Sequence, residues 1–517
     1  MNTPAAAPDD RRLKEVWLLL ATFLVAVAGL IYELIAGTVS SYLLGDSIRQ
    51  FSFVIGVFLS AMGLGAWASR FVGEAVRGFI WAQIALGVIG GFLAPLLFFT
   101  YAATGEVGLA LYGALIAIGV LSGMEIPLIA RVLESIGATS FRFENVLSAD
   151  YVGALAASLA FPLLVIPNLG LMSASLAFGT LNLAVAALSL VIFRDIASRA
   201  QWIGCGVALL ASVAALIQSE RMVSVADAAL FEDDVIISET TPYQQISVTR
   251  FRDRVRLYLD HSIQFDSLDE YRYHESLIHP AMARAERVKD VLILGGGDGM
   301  AAREVLRHEG VESVTLVDLD PRMTELFRDT DELAALNGGA LRDPRVHVVN
   351  ADAWRFAEDT NAIFDVIVLD LPDPKNIALS KLYSREFYSL LMERVSTTGV
   401  LVTQAGSPVY AREAFWSVVR TWEDVRNPVA PDTGLTILPY HAYVPSFGEW
   451  GFVIVEPLAR RARPLDLPEG LRFLTPEVWQ GAQVFAADTD RVEVEPNTLQ
   501  THRLVDYYLS GWDHWFR

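Results

Sequence analysis

Apolar residues are distributed along this chain in two ways. Before Glu220 they run together in seven stretches, at about 16–38, 51–70, 79–100, 107–130, 146–167, 171–193 and 202–218. A helix needs about 20 apolar residues to cross the hydrocarbon core of a bilayer. Six stretches meet that length, and the last, from Trp202 to Gln218, is marginal. The first is too long for a signal-peptide core and more stretches follow it, so it reads as retained. Beyond Asp233 the pattern changes to short alternation. DDVIISETTPYQQISVTRF and RVRLYLDHSIQF predict antiparallel strands of a small β-lobe. The segment from Asp269 to Arg287 predicts a helix, and PEVWQGAQVF and LVDYYLSGWDHWF near the end predict two more.

Within this second region, VKDVLILGGGDGMAAREVLRH joins a buried strand (Val291 to Leu294) to a glycine-rich turn and a helix. That sequence of elements opens the nucleotide-binding half of a doubly wound α/β domain. Three further strands follow, VTLVDLD, RVHVVNADAW and FDVIVLDLPDP, ending near Asp318 and Asp320, Asp352, and Asp370 and Asp373. Open α/β sheets bind ligands at the carboxyl ends of their strands, so four successive strands bring acids to one edge. An acid at the tip of the second strand is placed to hold ribose hydroxyls. Asp298 lies inside the glycine turn itself, where it would repel a pyrophosphate and suit a cation. The predicted organisation is a multi-spanning α-helical membrane domain (1–220), the β-lobe (233–268), a Rossmann-like, methyltransferase-type α/β domain (269–456) and a helical tail (457–517).

Composition agrees with this division. The chain has 517 residues, is 53% hydrophobic and has a mean hydropathy of +0.37. Up to Glu220 there are 10 basic and 13 acidic residues, against 30 and 47 after it. So acidic a second half argues against nucleic acid as a partner, because phosphates demand Lys and Arg. The one cysteine, Cys205, excludes an intrachain disulfide and a cysteine-rich metal site. Around the apolar stretches, Arg11, Arg12, Lys14, Arg70, Arg77, Arg131, Arg142, Arg194 and Arg199 fall on one side and Arg49 on the other. This bias predicts a cytoplasmic amino terminus. Glu33, Glu125 and Asp150 sit in or beside apolar stretches. An acid there is costly, and it serves either a path for a cation or helix–helix hydrogen bonding.

The pieces TPYQQISV, LYLDHSIQFDSLDEYRYHE, VLILGGGDGMAAREVLRH, LVDLD, NADAW and FDVIVLDLPDP occur in an order and spacing that resembles the spermidine synthases, over about residues 233–456. The multi-spanning front end is similar to that of a membrane-bound branch of the same family. The resemblance implies transfer of an aminopropyl group from decarboxylated S-adenosylmethionine to an amine such as putrescine, giving spermidine and methylthioadenosine with no cofactor or metal. It implies Asp370 as the base, and Asp298, Asp373, Tyr273, His274 and Tyr443 as amine-side contacts. His274 could equally be structural. Gln244, Gln264, Asp318, Asp352 and Ala353 would hold the nucleoside, and Trp450 would wall the channel. The chain departs from the family pattern at Met300, which ends the glycine turn, and at Lys375 and Asn376 after the aspartate motif. Asp318 stands where Glu is common. Two other readings stay open: a methyltransferase acting on an amine, and a polyamine sensor or transporter. The expected partners are a polyamine and the lipid bilayer, with self-association open. Seven spans would put the α/β domain outside the cytoplasm, away from its co-substrate. Either the 202–218 stretch does not fully cross, or the domain is extracytoplasmic.

Overall fold

The computed structural model describes residues 8–44, 47–137, 143–219, 221–223, 225, 231, 233–458 and 465–516. Arg142, Glu220 and Pro464 lie outside the described residues, as do the side chains of Arg11 and Arg49. The chain divides into two compact units, Met1–Val235 and Ile236–Arg517.

Up to Ile217 the described part of the first unit is built of helices joined by short loops: α1 (Pro8–Leu44), α2 (Ser47–Ala68), α3 (Ala75–Gly91), α4 (Leu93–Thr104), α5 (Gly108–Ser135), α6 (Phe143–Ala160), α7 (Ile166–Ile192) and α8 (Arg199–Ile217). Five helices are long and apolar enough to cross a membrane, or six if the bent pair α3–α4 is one span. That pair bends by 41°. Pro95 explains the break, since it has no N–H for the carbonyl of Gly91 and its ring would clash there. Residues 144–192 form one 49-residue helical stretch. Straight, it would be ~74 Å long, more than twice the thickness of a hydrocarbon core. It is interrupted by a π-turn at Phe161–Val165 and by Gly170 in an extended left-handed conformation (φ 66°, ψ 176°). The expected stretches 146–167 and 171–193 lie on either side of Gly170.

Glycine sets the closest helix contacts. A Cβ on Gly65 of α2 would lie 2.0 Å from the carbonyl oxygen of Val120 in α5, and one on Gly123 of α5 would lie 2.0 Å from that of Met62. Only residues without side chains permit such approach. Much of the outer surface is apolar: Phe53, Leu59 and Trp67 of α2 and Ile203, Val207 and Leu210 of α8 are all exposed.

The second unit begins with a four-stranded sheet of β1 (Asp234–Thr240), β2 (Gln245–Phe251), β3 (Arg254–Leu259) and β4 (Ser262–Asp266), in that order. Asp260 and His261 turn β3 into β4, both with positive φ, as a two-residue hairpin of matching twist requires. A seven-stranded sheet follows: β5 (Asp290–Gly295), β6 (Ser313–Asp318), β7 (Val346–Asn350), β8 (Phe364–Asp370), β9 (Val395–Gln404), β10 (Thr436–Val444) and β11 (Gly448–Glu456). Its order is β10-β11-β9-β8-β5-β6-β7. The five strands from β9 to β7 are parallel, while β11 and β10 add an antiparallel edge. The sheet is thus mixed rather than wholly parallel.

Helix α9 (Glu270–Arg284) packs against β8, β9, β10 and β11. It buries Tyr273, His274, Leu277, Ile278 and Ala281 along one face, the 3.6-residue spacing expected of a helix on a sheet. The tail contains two helices, Pro476–Gly481 and Arg503–Phe516. Both dock on this unit: Trp479 and Leu504 are buried in its cores. The Glu275 carboxylate holds the approach to the first by accepting the backbone N–H groups of Arg472, Phe473 and Leu474 at 2.8–2.9 Å.

Candidate active site

Strand β5 has β6 on one side and β8 on the other. A chain that winds first one way and then the other leaves a crevice at this switch point, and the glycine turn fills its floor. Gly295, Gly296 and Gly299 all have positive φ. At Gly295 no other residue fits: a Cβ would lie 2.0 Å from the carbonyl oxygen of Asp370. The next N–H, of Gly296, donates to that same carbonyl at 3.1 Å. On the opposite side the Gly297 N–H donates to Asp318 Oδ2 at 3.1 Å, and a Cβ on Gly297 would lie 2.6 Å from that oxygen. The turn is therefore clamped between Asp370 at the tip of β8 and Asp318 at the tip of β6. Met300 sits in the helix that follows, Met300–Val305, fully buried. It needs no glycine conformation, so the departure there leaves the turn intact.

Asp370 Oδ1 accepts the phenol of Tyr273 at 2.8 Å. The Asp298 carboxylate accepts the N–H of Met300 at 2.9 Å and is almost wholly enclosed. Burial lifts the Asp298 carboxyl to about 6, the charge of His274 pulling it down and that of Asp370 pushing it up. Burial lifts Asp370 as well, against the pull of His274 and Tyr273. Asp318 rises to about 6, chiefly through burial. Asp373 is raised by burial, against hydrogen bonds from Tyr508 and Gln404 and the charge of Lys375.

His274 is the counterweight. Its Nδ1 donates to the backbone carbonyl of Glu270 at 2.9 Å and to Glu270 Oε2 at 2.8 Å. Burial opposes a charge on this ring, yet the bond and charge of Glu270, with the charges of Asp370 and Asp298, raise it to about 9. Glu270 is itself held ionised against burial by His274 and Arg303, whose guanidinium lies 2.8 Å away. The site therefore holds an internal imidazolium between acids that burial makes reluctant to ionise. Such a site takes up cations, and an acid of raised pKa is suited to removing a proton from an amine.

The structure brings Tyr273, His274, Asp298, Asp318, Asp370 and Asp373 to one end of the sheet. The other predicted residues stand differently. Gln244 donates from Nε2 to Asp320 Oδ2 at 3.1 Å, beside Thr241 at 2.8 Å, and Asp320 Oδ1 caps the helix Pro321–Asp329. Gln264 donates to the carbonyl of Ser262 at 3.1 Å. Asp352 caps the helix Ala353–Asp359 through the N–H groups of Trp354 and Arg355 and pairs with Lys381 at 2.8 Å. Ala353 is buried next to it. Tyr443 is 54% exposed, and its carbonyl accepts from Arg272 at 3.2 Å. Trp450 is buried beside Phe447, which in turn packs against Tyr273.

Four contributors escaped the sequence reading. Glu270 and Arg303 orient and charge His274. Gln404 Nε2 donates to the carbonyl of Leu371 at 2.8 Å and reaches Asp373 Oδ1 at 3.3 Å. Tyr508, from the last helix, donates to Asp373 Oδ2 at 2.7 Å. Only Glu270 carried a signal, its i,i+4 spacing from His274.

Residues 270–457 match the Spermine/spermidine synthase domain family. Along nearly its whole length the chain is similar to polyamine aminopropyltransferase 1 of Ralstonia nicotianae, at 44% identity, with 98% of this chain and 97% of that one covered. The polyamine aminopropyltransferase of Leptospira interrogans is 40% identical, with 96% and 98% covered. Among solved structures, spermidine synthase from Thermotoga maritima aligns with 49% of this chain and 85% of its own, at 24% identity and a TM-score of 0.42. With relatives of this identity over both units, the chain belongs to the polyamine aminopropyltransferase family.

Proposed function

We propose that this aminopropyltransferase takes its aminopropyl group from decarboxylated S-adenosylmethionine and delivers it to putrescine, releasing spermidine and methylthioadenosine. The observation that carries the reading is the pair Asp298 and Asp370, both acting on the charged His274, with Asp373 three residues further on, set against a glycine turn. Putrescine arrives as an ammonium, which has no lone pair. Asp370, held in place by Tyr273, accepts one proton from it. The freed nitrogen attacks the aminopropyl carbon bound to sulfur. The new C–N bond forms as the C–S bond breaks, and its electron pair returns to sulfur to leave a neutral thioether. The positive sulfonium is its own leaving group, so the reaction needs no metal. Asp298 takes the far ammonium of the aminopropyl arm, Asp373 an ammonium of the amine, and Asp318 the ribose hydroxyls. Gln244, Gln264, Asp352 and Ala353 surround the rest of the nucleoside, with Tyr443 and Trp450 toward the amine.

The test is to incubate the purified full chain with decarboxylated or intact S-adenosylmethionine and a panel of amines, reading products by mass spectrometry. Spermidine and methylthioadenosine are expected. A methylated amine, or binding without turnover, would refute the reading.

The helical unit is proposed to lie in the cell membrane. Exposed apolar side chains on α2 and α8 support this, because each would cost about 1.5–3 kcal/mol in lost burial if left in water. Reporter domains fused after Gln218 test both the insertion and the side on which the enzyme unit emerges.

A further inference from the structure

The helical unit buries polar groups that the transfer reaction does not use. Glu125 of α5 is 6% exposed, and its Oε1 has no hydrogen-bond partner. Gln83 of α3, 1% exposed, hydrogen-bonds with Glu125, and its own Oε1 is likewise without a partner. Asp150 of α6 lies near enough for its charge to act on Glu125. Ser122, three residues before Glu125 and so on the same helical face, has an Oγ without a partner that points toward Gly29 of α1. Pro127, inside α5, has no N–H for the carbonyl of Gly123, which frees one more acceptor a turn away. Four helices thus converge on oxygens that accept, and among the described residues no side-chain cation acts on Glu125. A buried acceptor without a donor is costly, because it has given up its water without replacement. A carboxylate and an amide oxygen side by side, both open, double that cost unless a donor enters.

We propose that Glu125, Gln83 and Asp150 form a binding site for the ammonium group of an amine inside the helical unit, separate from the acid cluster of the α/β unit. An ammonium carries three donors in a compact tetrahedral array, matching two carboxylates and one amide oxygen. A dehydrated calcium ion would ask for six to eight oxygens. The choice of amine rests on the aminopropyltransferase reading, whose linear polyammonium product is the natural occupant.

The experiment uses the full chain in lipid nanodiscs and radiolabelled spermidine in equilibrium dialysis. The wild type is expected to bind two equivalents, and Glu125→Gln to bind one while aminopropyl transfer stays within about twofold of normal. Gln83→Leu, which removes the amide oxygen without adding charge, is expected to weaken the second site at least tenfold. It also serves should Glu125→Gln fail to fold. A single equivalent in the wild type would overturn the proposal, as would two unaltered equivalents in both variants. Displacement of the label from the second site by potassium at equal concentration would overturn the amine assignment. Absence of transfer by the wild type would refute the aminopropyl reading alone, since loss of the second equivalent in Glu125→Gln is read independently of turnover.

Discussion

Gly295→Ala places a methyl group against the backbone of Asp370, the proposed base. The position has φ +85°, which costs an L-residue roughly 1–2 kcal/mol. The methyl carbon would begin 2.0 Å from the carbonyl oxygen of Asp370. Carbon–oxygen contacts settle at about 3.3 Å, so the turn and the tip of β8 must part by about 1.3 Å. Misplacing a reacting group by about 1 Å costs on the order of a hundredfold in rate, or ~2.7 kcal/mol of barrier. Gly470→Ala is the control. It has φ +73° and would meet only the end of Arg307, at 3.9 Å, so it carries the conformational cost without the displacement. Gly470→Ala should lose about 1–2 kcal/mol in denaturant titrations of the full chain, and Gly295→Ala more than that. Only Gly295→Ala should lose a hundredfold or more in the rate of methylthioadenosine release at saturating substrates. Equal effects on rate in the two variants would refute the claim that the turn positions the base.

Asp370→Asn keeps an oxygen for the Tyr273 phenol and removes the proton acceptor, so kcat should fall about 10²–10⁴-fold, measured by product mass spectrometry; full activity would show that the base lies elsewhere. Burial pushes Asp318 up to about 6, and its ionised form is the stronger acceptor for the proposed ribose contact. Calorimetry with methylthioadenosine should therefore find steady affinity above pH 7 and about tenfold weaker binding by pH 5, while a flat profile would separate Asp318 from the nucleoside. The folded-state pKa of His274, about 9, lies above the ordinary value near 6.5. Its contribution to stability is thus complete below pH 6.5 and is lost as pH rises through 9. Unfolding midpoints should decline across that window in the wild type and stay level in His274→Gln. Tyr508→Phe removes a donor from Asp373 and lets its pKa rise further; KM for the amine should increase about tenfold with kcat within about twofold, and an unchanged KM would make the contact merely structural.

The parts of the site that sequence made legible are those encoded locally. A buried strand, a glycine turn and an acid lie within nine residues at Val291–Gly299, and the tips of β6 and β8 follow from runs such as VTLVD and FDVIVLD. The less legible parts depend on distant partners. Tyr508 lies 135 residues from Asp373 and Arg303 33 from Glu270, and no local pattern pairs them. Asp352 shows a different difficulty. An aspartate before a helix serves as a cap as readily as a ligand, and here both of its oxygens are already engaged. In the helical unit, apolar length located the helices well. The break at Phe92 depended on one proline, Pro95, whose effect an apolar average does not register.

The joint between Gly295, Gly296 and Asp370 bears on how such an enzyme changes over generations. The glycine turn, proposed to cradle the nucleoside, and the strand tip that bears the proposed base meet at one carbonyl, so neither can drift without the other. The donor half of the reaction is thereby frozen. Asp373 is different: one of its oxygens is held by a tyrosine from the last helix, which lies beyond the stretch that matches the family domain. New acceptor amines are open to exploration by substitutions in that terminal helix, with the leaving-group chemistry carried along unchanged.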